Sequence, residues 1–510
     1  MFLGSGWLGC TASDNRQFLS PQDGVDVLRY ELTLSIDPET RHLDGVASLV
    51  VHHPDTLSVL QLQLRPEMDV HRVSLGGAPG PYLHDNGRLD IGGLSGDSSI
   101  VEIAYRGTMR TGIRDGMVGD QHVLFSESWP MVGAGWLPGV HHPSDPAQVE
   151  FEITLPGGYH VVANGAVEST SSQTATGTTT YFSLLEDAPI YTFAFAVSDR
   201  FTVEIDSTSS GIPIRHYLLD EDRLDGHLLS RTPQVLSVLE NLLGPYPYAS
   251  YSTVEVPMEY AGMENASASF LASDLYDRPV TGGRNLLEEV NIHEAAHQWF
   301  GNDVVPADWR DLWLSEGMAT YLTTVVFGLV VGGEAAREHR TRMALISDRD
   351  ARRVLVPNSY DAPEDLLTAT VYQKGGCVLH LLRLRFGDEA FFDALRHIRE
   401  EYDDLPLSTG HFQAALERAF ETDLSVFFDH WVYGDNIPVL RTNWNRQTRM
   451  LTWEIEGDEG TLEGIDFELM ILQKGTLAYY PVSVGSAVID AGDVSDEPEV
   501  HPVGVLLSVR

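Results

Sequence analysis

The sequence predicts a multidomain α+β protein with a β-rich N-terminal part, an α-rich middle and a small β module at the C-terminus. The chain has 510 residues. Domains average about 150 residues, so a chain of this length is expected to form more than one domain. Apolar and polar residues alternate in the first and last parts, whereas helical spacing prevails between them. Hydrophobic residues make up 43% and charged residues 21% of the chain, as in ordinary globular proteins.

Residues 22–205 are predicted to form the first domain, a set of short strands. Alternation is clear in 28–34 and 149–155, and Gly, Pro and Asp residues separate such runs. We interpret the Ser/Thr-rich segment 169–180 as a hairpin tip, with a low-complexity segment as the alternative. Residues 1–21 are set apart as an N-terminal tail or signal remnant.

Residues 206–435 are predicted to form the second, mostly helical domain. Apolar residues recur there at helical spacing in five stretches, 231–243, 285–300, 311–326, 372–386 and 410–420. From about Val439 alternation returns, for example in 451–455. Residues 436–510 are therefore predicted to form a C-terminal β module.

The charge of the chain limits its partners. Its formal net charge is −41, from 74 acidic and 33 basic residues. Such a surface repels phosphate backbones and anionic lipids, so no nucleic-acid partner is expected. Only Lys374 and Lys474 are lysines. A salt-rich habitat and a high-GC codon bias both explain this composition, and both interpretations stay open.

The first ten residues, MFLGSGWLGC, are apolar and end in Gly-Cys, which resembles the end of a bacterial lipoprotein signal. The stretch has no Lys or Arg, so a frayed or misassigned start is the alternative. Lipidation at Cys10 would tether the protein to a membrane in the cell envelope. A cell-envelope or extracytoplasmic location and a cytoplasmic location are therefore equally expected. The other cysteine, Cys377, is too distant in sequence and context to indicate a disulfide framework.

A candidate metal site begins with His293 and His297, which lie four residues apart in a predicted helix and so project from one face. Neutral imidazoles suit Zn²⁺, and a catalytic zinc site needs a third protein ligand and an open fourth position. Glu316 is the candidate, since it follows His297 after 18 intervening residues, on the apolar face of the next predicted helix. A buried carboxylate there needs a partner, which one zinc ion per chain would supply.

Glu294 lies beside the first histidine but off the ligand face. Its carboxylate can take a proton from the attacking water and deliver it to a leaving amine, so we predict that it is the general base. The alternative for the whole pattern is a chance helix with two surface histidines. The third carboxylate at this spacing favours the metal site.

Three segments make the chain resemble the gluzincin zinc aminopeptidases, the family of alanyl aminopeptidase and leukotriene hydrolase: HEAAHQWFGN (293–302), WLSEG (313–317) and YAGMEN (260–265). The likeness extends to the Ala163-Asn164-Gly165 turn and to VYQKG (371–375). It implies a β saddle-like N-terminal domain, a thermolysin-like catalytic domain and a C-terminal β-sandwich. It also implies hydrolysis of the N-terminal peptide bond of peptides that have a free N-terminus.

The resemblance assigns roles to further residues. It implies that Gly262, Met263, Glu264 and Asn265 form an extended edge along the substrate backbone. Glu264 would bind the free α-amino group and so place the first peptide bond over the zinc. Tyr372 would donate a hydrogen bond to the oxyanion, and Gln373 beside it, where the family usually has Glu, leaves that donor intact.

Family members also place a Gln or Glu beside the amine site from the β domain. Glu127 in FSESW (125–129) is the candidate here, and the alternative is an exposed acid at the end of a strand. The adjacent His141 and His142 cannot copy the helical pair, and we interpret them as solvated loop histidines.

Two other functions stay open. A metallo-endopeptidase would use the same zinc chemistry and would ignore acetylation of the substrate N-terminus. An inactive peptide-binding scaffold would bind peptides without cleaving them, but it has no need of the full set of zinc ligands, base and oxyanion donor.

Overall fold

The structure is a computed structural model, which describes residues 21–510 except 174–176, 221–222, 224–227, 281–284, 351–352, 404, 446, 449, 458–459, 463–464, 474–475, 484–487, 491–498, 504, 506–507 and 510. Cys10 lies outside the described residues, so lipidation there stays a prediction. Within the described part of the chain, no helix is both long and apolar enough to cross a membrane.

The chain divides into two compact units. One consists of the described residues among 1–237, 245–307 and 404–406, and the other of those among 238–244, 308–403 and 407–510. The predicted domain boundaries near 205 and 435 stay predictions. The predicted fold class is confirmed, because a β-rich N-terminal part precedes an α-rich middle and a β region at the C-terminus.

The N-terminal part consists of three sheets. Their strands are β1 (Asp26–Asp37), β2 (His42–His52), β3 (Val59–Gln63), β4 (Met68–Leu75), β5 (Ala78–Pro79), β6 (Tyr82–Asp85), β7 (Arg88–Gly92), β8 (Ser98–Thr108), β9 (Ile113–Val118), β10 (Gln121–Ser126), β11 (Pro146–Leu155), β12 (His160–Ala163), β13 (Ala166–Gln173), β14 (Gly177–Pro189) and β15 (Phe195–Ser198). The largest sheet has the order β13-β14-β11-β1-β2-β8-β4-β5, and the others β12-β15-β10-β9 and β3-β7-β6.

Sequence alternation corresponds to burial in these strands. Every second residue of β11 is buried, because successive side chains of a strand point to opposite faces of a sheet. Antiparallel pairing of β13 with β14 confirms the predicted hairpin, and residues 174–176 lie outside the described residues. Short 3-10 turns lie between β10 and β11, at Val132–Gly135, and between β14 and β15, at Ile190–Thr192.

A fourth sheet was not predicted from the sequence. Its strands are β16 (Thr202–Ser207), β17 (Pro213–Leu218), β18 (Tyr251–Val256), β19 (Gly262–Met263) and β20 (Ala268–Ala272), in the order β16-β17-β18-β20-β19. Every residue of β18 and β20 is buried, so burial does not alternate along these strands. The short β19 is an edge strand and pairs antiparallel with β20.

Helices dominate the middle of the chain. They are α1 (Thr232–Leu243), α2 (Ser273–Tyr276), α3 (Leu286–His297), α4 (Trp313–Val330), α5 (Gly333–Asp350), α6 (Gly375–Phe386), α7 (Asp388–Glu401), α8 (Thr409–Phe420) and α9 (Ser425–Trp431). A π-helical turn, Thr370–Lys374, precedes α6, and 3-10 turns lie at Trp309–Asp311 and Pro363–Leu366. The five predicted helical stretches are confirmed as α1, α3, α4, α6 and α8, whereas α5, α7 and α9 were not predicted.

The C-terminal β region contains two small sheets. Their strands are β21 (Val439–Asn445), β22 (Met450–Glu456), β23 (Asp466–Gln473), β24 (Thr476–Ser483), β25 (Val488–Asp490), β26 (Glu499–Val503) and β27 (Ser508–Val509). The sheet orders are β25-β22-β21-β27 and β24-β23-β26. The predicted β module at the C-terminus is thus present.

Candidate active site

The helix α3 brings the two predicted metal-binding histidines together. The Nε2 atoms of His293 and His297 are 3.2 Å apart. The Nδ1 atom of His297 lies 3.2 Å from the carbonyl oxygen of Phe300. Because a carbonyl can only accept, Nδ1 carries the proton, and Nε2 keeps its lone pair for a metal. The tautomer of His297 is therefore the one that a metal ligand requires.

Glu316 lies in the first turn of α4 and is buried. The start of this helix is fixed by neighbouring contacts. Asp311 accepts hydrogen bonds from the backbone N–H and hydroxyl of Thr409, at 2.9 and 2.7 Å, and Trp313 donates to the same hydroxyl at 2.9 Å. One carboxylate oxygen of Glu316 and one ring nitrogen each of His293 and His297 all lie within 4.8 Å of one another.

This donor set fits zinc. Two nitrogens bound tetrahedrally at 2.0–2.1 Å from a zinc ion lie about 3.3–3.4 Å apart, and the observed Nε2–Nε2 distance is 3.2 Å. Two imidazoles and one carboxylate also match the ligand types of catalytic zinc sites, which keep one position open.

A second cluster, which shares His297, contains Glu264 and Glu294. One ligand-type atom from each of the three residues lies within 4.8 Å of the others, and both carboxylates are buried. The predicted base and the predicted amine-binding residue thus lie side by side.

Gly262 on the edge strand β19 lies directly against the Glu294 carboxylate. A Cβ at this position would come within 2.7 Å of the carboxyl carbon of Glu294 and 2.8 Å of Val290 Cγ1. Real Cβ atoms do not approach other heavy atoms so closely, and the packed core leaves little room for relaxation. Glycine therefore allows the edge strand to pass across the Glu294 carboxylate.

The substitution Gly262→Ala is expected to lower kcat by about a hundredfold, because misplacing a reacting group by about 1 Å costs that much. Steady-state hydrolysis of an aminoacyl coumarin amide measures the effect. Gly157→Ala is the matched control, since a Cβ at Gly157 meets nothing within 4 Å. A Gly262→Ala enzyme with the parent kcat would show that the Glu294 carboxylate does not depend on this close approach.

Two amides that were not singled out from the sequence hold the backbone of Glu264. The side-chain nitrogen of Asn302 donates to the Glu264 carbonyl at 2.7 Å, and that of Gln298 does so at 3.3 Å. Gln298 Oε1 also accepts from the backbone N–H of Ser267 at 2.8 Å. Gln298 lies four residues after Glu294. Helical spacing alone therefore predicts that the two side chains lie on the same face of the helix.

The Ala163-Asn164-Gly165 turn supports the same segment. Asn164 Nδ2 donates to the carbonyl of Ala266 at 2.7 Å, and the Gly165 N–H donates to Ser267 Oγ at 2.6 Å. Ser267 has φ of 61°, a left-handed conformation that non-glycine residues seldom adopt without such support. These contacts fix the end of the segment that begins with Gly262.

Glu127 follows β10 and is only 6% exposed, so the alternative of an exposed strand-end acid is wrong. Its Oε2 accepts a hydrogen bond from Arg114 Nε at 2.7 Å. Burial, followed by the charge of Glu127 and a hydrogen bond to it, raises the pKa of Tyr260 well above its usual value. Glu127 is thus paired with both neighbours, neither of which was considered from the sequence.

The interpretation of His141 and His142 as solvated is also wrong. Both are buried, and His141 Nε2 hydrogen-bonds the carbonyl of Leu137 at 2.9 Å. Burial lowers the pKa of His141 to about 4, so its ring is neutral at physiological pH. His142 Nδ1 lies 2.7 Å from Ser144 Oγ. Two adjacent histidines are typical of a polar, solvated loop. The sequence alone does not show that this loop is buried.

Tyr372 is half-buried in the π-helical turn Thr370–Lys374. Lys374 anchors this turn, because its buried ammonium donates to the carbonyls of Arg353 and Gly434 at 2.9 and 3.0 Å. Burial lowers the pKa of Lys374 to about 8. Cys377, on the following helix α6, is fully buried.

Comparison with known proteins places this site in a family. A model of the Peptidase family M1 domain matches residues 228–431. Leucine aminopeptidase 2 of Ajellomyces capsulatus is 25% identical over 339 residues, which cover 62% of this chain and 52% of that protein. Aminopeptidase B of Homo sapiens is 26% identical over 287 residues, or 53% of this chain and 42% of its own length. The chain thus spans about half the length of the curated relatives it matches.

Solved structures give a fuller match. An M1 zinc metallopeptidase from Deinococcus radiodurans aligns with a TM-score of 0.69 at 25% identity, covering 82% of this chain and 96% of its own. A mutant M1 zinc metallopeptidase of that organism, bound to a Tyr-Ser-Ala substrate, aligns with a TM-score of 0.68 at 26% identity and the same coverage.

Two histidines four residues apart and a glutamate from the next helix, on an α-rich framework, define a gluzincin site. Within that class, residues 228–431 match the Peptidase family M1 domain, and the relatives and solved structures named above are aminopeptidases and M1 zinc metallopeptidases. The predicted family resemblance and the predicted zinc cofactor are therefore confirmed. The roles of the individual site residues stay predictions.

Proposed function

We propose that this protein is a zinc-dependent aminopeptidase that removes the N-terminal residue of peptides. The main support is the position of the buried Glu264 carboxylate beside Glu294 and His297, with their ligand-type atoms within 4.8 Å. A carboxylate that binds the α-ammonium at this distance from the base leaves room for a single residue before the scissile bond. The position of the bound α-ammonium then determines which peptide bond is cleaved.

The charges of the site agree with an ammonium ligand. A zinc ion held by His293, His297 and Glu316 carries two positive charges, and the carboxylates of Glu264, Glu294 and Glu316 carry three negative ones. The α-ammonium of a peptide supplies the remaining positive charge. A buried ammonium in turn requires a carboxylate partner, which is the role proposed for Glu264.

The substrate backbone is proposed to lie along β19. This two-residue strand is at the edge of its sheet, and an edge strand offers unpaired backbone groups to an extended peptide. Gly262, Met263 and Asn265 would contribute through their backbone, in a segment fixed by the amides of Gln298 and Asn302.

Protein side chains carry the proton transfers. Glu294 takes a proton from the attacking water and delivers it to the leaving amine. The phenol of Tyr372 donates a hydrogen bond to the developing oxyanion. When bound to His293, His297 and Glu316, zinc would act as a Lewis acid toward the peptide carbonyl. Glu127 is proposed to complete the surroundings of the amine site.

Aminoacyl 7-amido-4-methylcoumarins test this proposal, with the N-acetylated substrate as the blocked counterpart. Hydrolysis should require a free amine and stop when a chelator removes zinc. Glu264→Gln should lower kcat/KM at least about thirtyfold, or about 2 kcal/mol, because a buried ammonium loses its charged partner. Glu259→Gln, an exposed acid in the same loop, is the matched control and should change little.

The outcomes also separate the alternatives. Equal cleavage of free and acetylated peptides would support the metallo-endopeptidase, and zinc binding without turnover of any peptide would support the peptide-binding scaffold. The buried Glu264 beside Glu294 favours the aminopeptidase over both, because neither alternative requires a carboxylate for the substrate amine.

A further inference from the structure

Arg114 and Glu127 form an ion pair on the hairpin of β9 and β10. The Arg114 side chain is 55% exposed, whereas its partner Glu127 is 6% exposed, and the two are joined at 2.7 Å from Nε to Oε2. Arg114 belongs to β9 and Glu127 directly follows β10, which is paired with β9. The backbone N–H of Glu127 donates to the Gly112 carbonyl at 2.8 Å, so both residues are held by the same hairpin.

This hairpin packs against the segment that leads to Glu264. A Cβ on Gly116, two residues after Arg114, would come within 2.9 Å of Pro257 Cγ, so β9 touches the chain just after β18. Burial, followed by the charge of Glu127, a hydrogen bond to it and the charge of Glu264, raises the pKa of Tyr260 further along that segment, and the charge of Arg114 opposes this rise. Tyr260 therefore connects the ion pair to the proposed amine-binding carboxylate.

These contacts determine the net charge of the pair formed by Glu127 and Arg114. Burial alone would lower the pKa of the Arg114 guanidinium, but the hydrogen bond and charge of Glu127, with Tyr260 and Glu259 nearby, outweigh burial and raise it. Arg114 is thus always charged, and it neutralises Glu127. Glu264 remains as the carboxylate that offers net negative charge to a substrate ammonium.

We propose that Arg114 is a specificity-determining residue, which disfavours substrates with a cationic first side chain and favours those with an acidic one. This inference rests on the proposed aminopeptidase function. The carbon that carries the α-ammonium also carries the first side chain, so that side chain starts beside Glu264. A Lys or Arg side chain there meets the like charge of the exposed guanidinium, whereas Glu or Asp meets an opposite charge.

The test compares coumarin amides of Arg, Leu and Glu with the zinc-loaded full chain. In Arg114→Gln, kcat/KM for the Arg substrate should rise about fivefold and that for the Glu substrate should fall about as much, so their ratio changes more than tenfold. The Leu substrate should change less than about threefold. The ratio does not depend on the fraction of active protein, so partial misfolding cannot mimic the effect.

Two further variants make the test specific. Arg114→Lys keeps the charge and should retain the parent ratio. Arg72→Gln is the matched control, because Arg72 is 59% exposed and forms a comparable 2.8 Å ion pair with Glu102 between β4 and β8. It should leave the ratio unchanged.

Equilibrium binding of arginine amide and glutamate amide, measured with Glu294→Gln present in both the parent and the Arg114→Gln protein to suppress turnover, gives a second ratio. An Arg114→Gln protein whose ratio stays within about twofold of the parent in either measurement would overturn the inference. Failure of the parent to cleave any coumarin amide would contradict the proposed function instead, and the binding ratio would then decide on Arg114 by itself.

Discussion

Glu294→Gln is expected to lower kcat by about a thousandfold while the protein stays folded and keeps its zinc. General acid–base catalysis contributes about 10²–10⁴ to rates, and Glu294 is the buried carboxylate next to the first histidine of the pair. Glutamine has the same shape but cannot take a proton from water. The measurement is kcat at saturating substrate together with the zinc content of the purified protein.

Glu288→Gln is the matched control for this variant. Glu288 lies in the first turn of the same helix and is paired with Arg231 at 2.9 Å. Its substitution should affect stability slightly and leave kcat nearly unchanged. A Glu294→Gln enzyme with kcat within about tenfold of the parent would exclude Glu294 as the base.

His297→Ala is expected to abolish zinc binding and with it all activity. His297 belongs to both clusters of potential ligands, and its hydrogen bond to Phe300 selects the metal-binding tautomer. Loss of this ligand should lower the zinc content from one ion per chain to less than about a tenth. The melting temperature should also fall, because a bound metal stabilises only the folded state. Elemental analysis and thermal unfolding measure both effects.

His216→Gln separates this effect from the general cost of changing a buried histidine. His216 is 2% exposed and hydrogen-bonds Thr253 at 2.7 Å. Its substitution is expected to destabilise the fold yet leave one zinc per chain. Retention of a full zinc complement by His297→Ala would show that the ion binds elsewhere.

The proximity of the candidate metal ligands could be predicted from the sequence because their spacing is set by local structure. Residues four apart on a helix share a face, so His293 and His297 had to be neighbours. The following turn and the apolar face of the next helix indicated Glu316. The roles of Glu264 and Tyr372 rested on the resemblance, since no spacing rule relates these residues to the histidines.

The remaining features depend on tertiary contacts that leave no local signal. The pairing of Arg114 with Glu127 follows from the register of a hairpin. The strands β18 and β20 were missed because strands that are buried on both faces do not alternate. The helix α7 was predictable, however, because Phe391, Leu395 and Ile398 lie at helical spacing and are all buried.

The most direct test of the central claim is mass spectrometry of a decapeptide during incubation with the zinc-loaded protein. The proposed site predicts a ladder of products, each shorter by one N-terminal residue, and no cleavage of the N-acetylated decapeptide. Internal fragments that arise equally from both peptides would contradict the account, because they would show that the substrate amine does not set the point of cleavage.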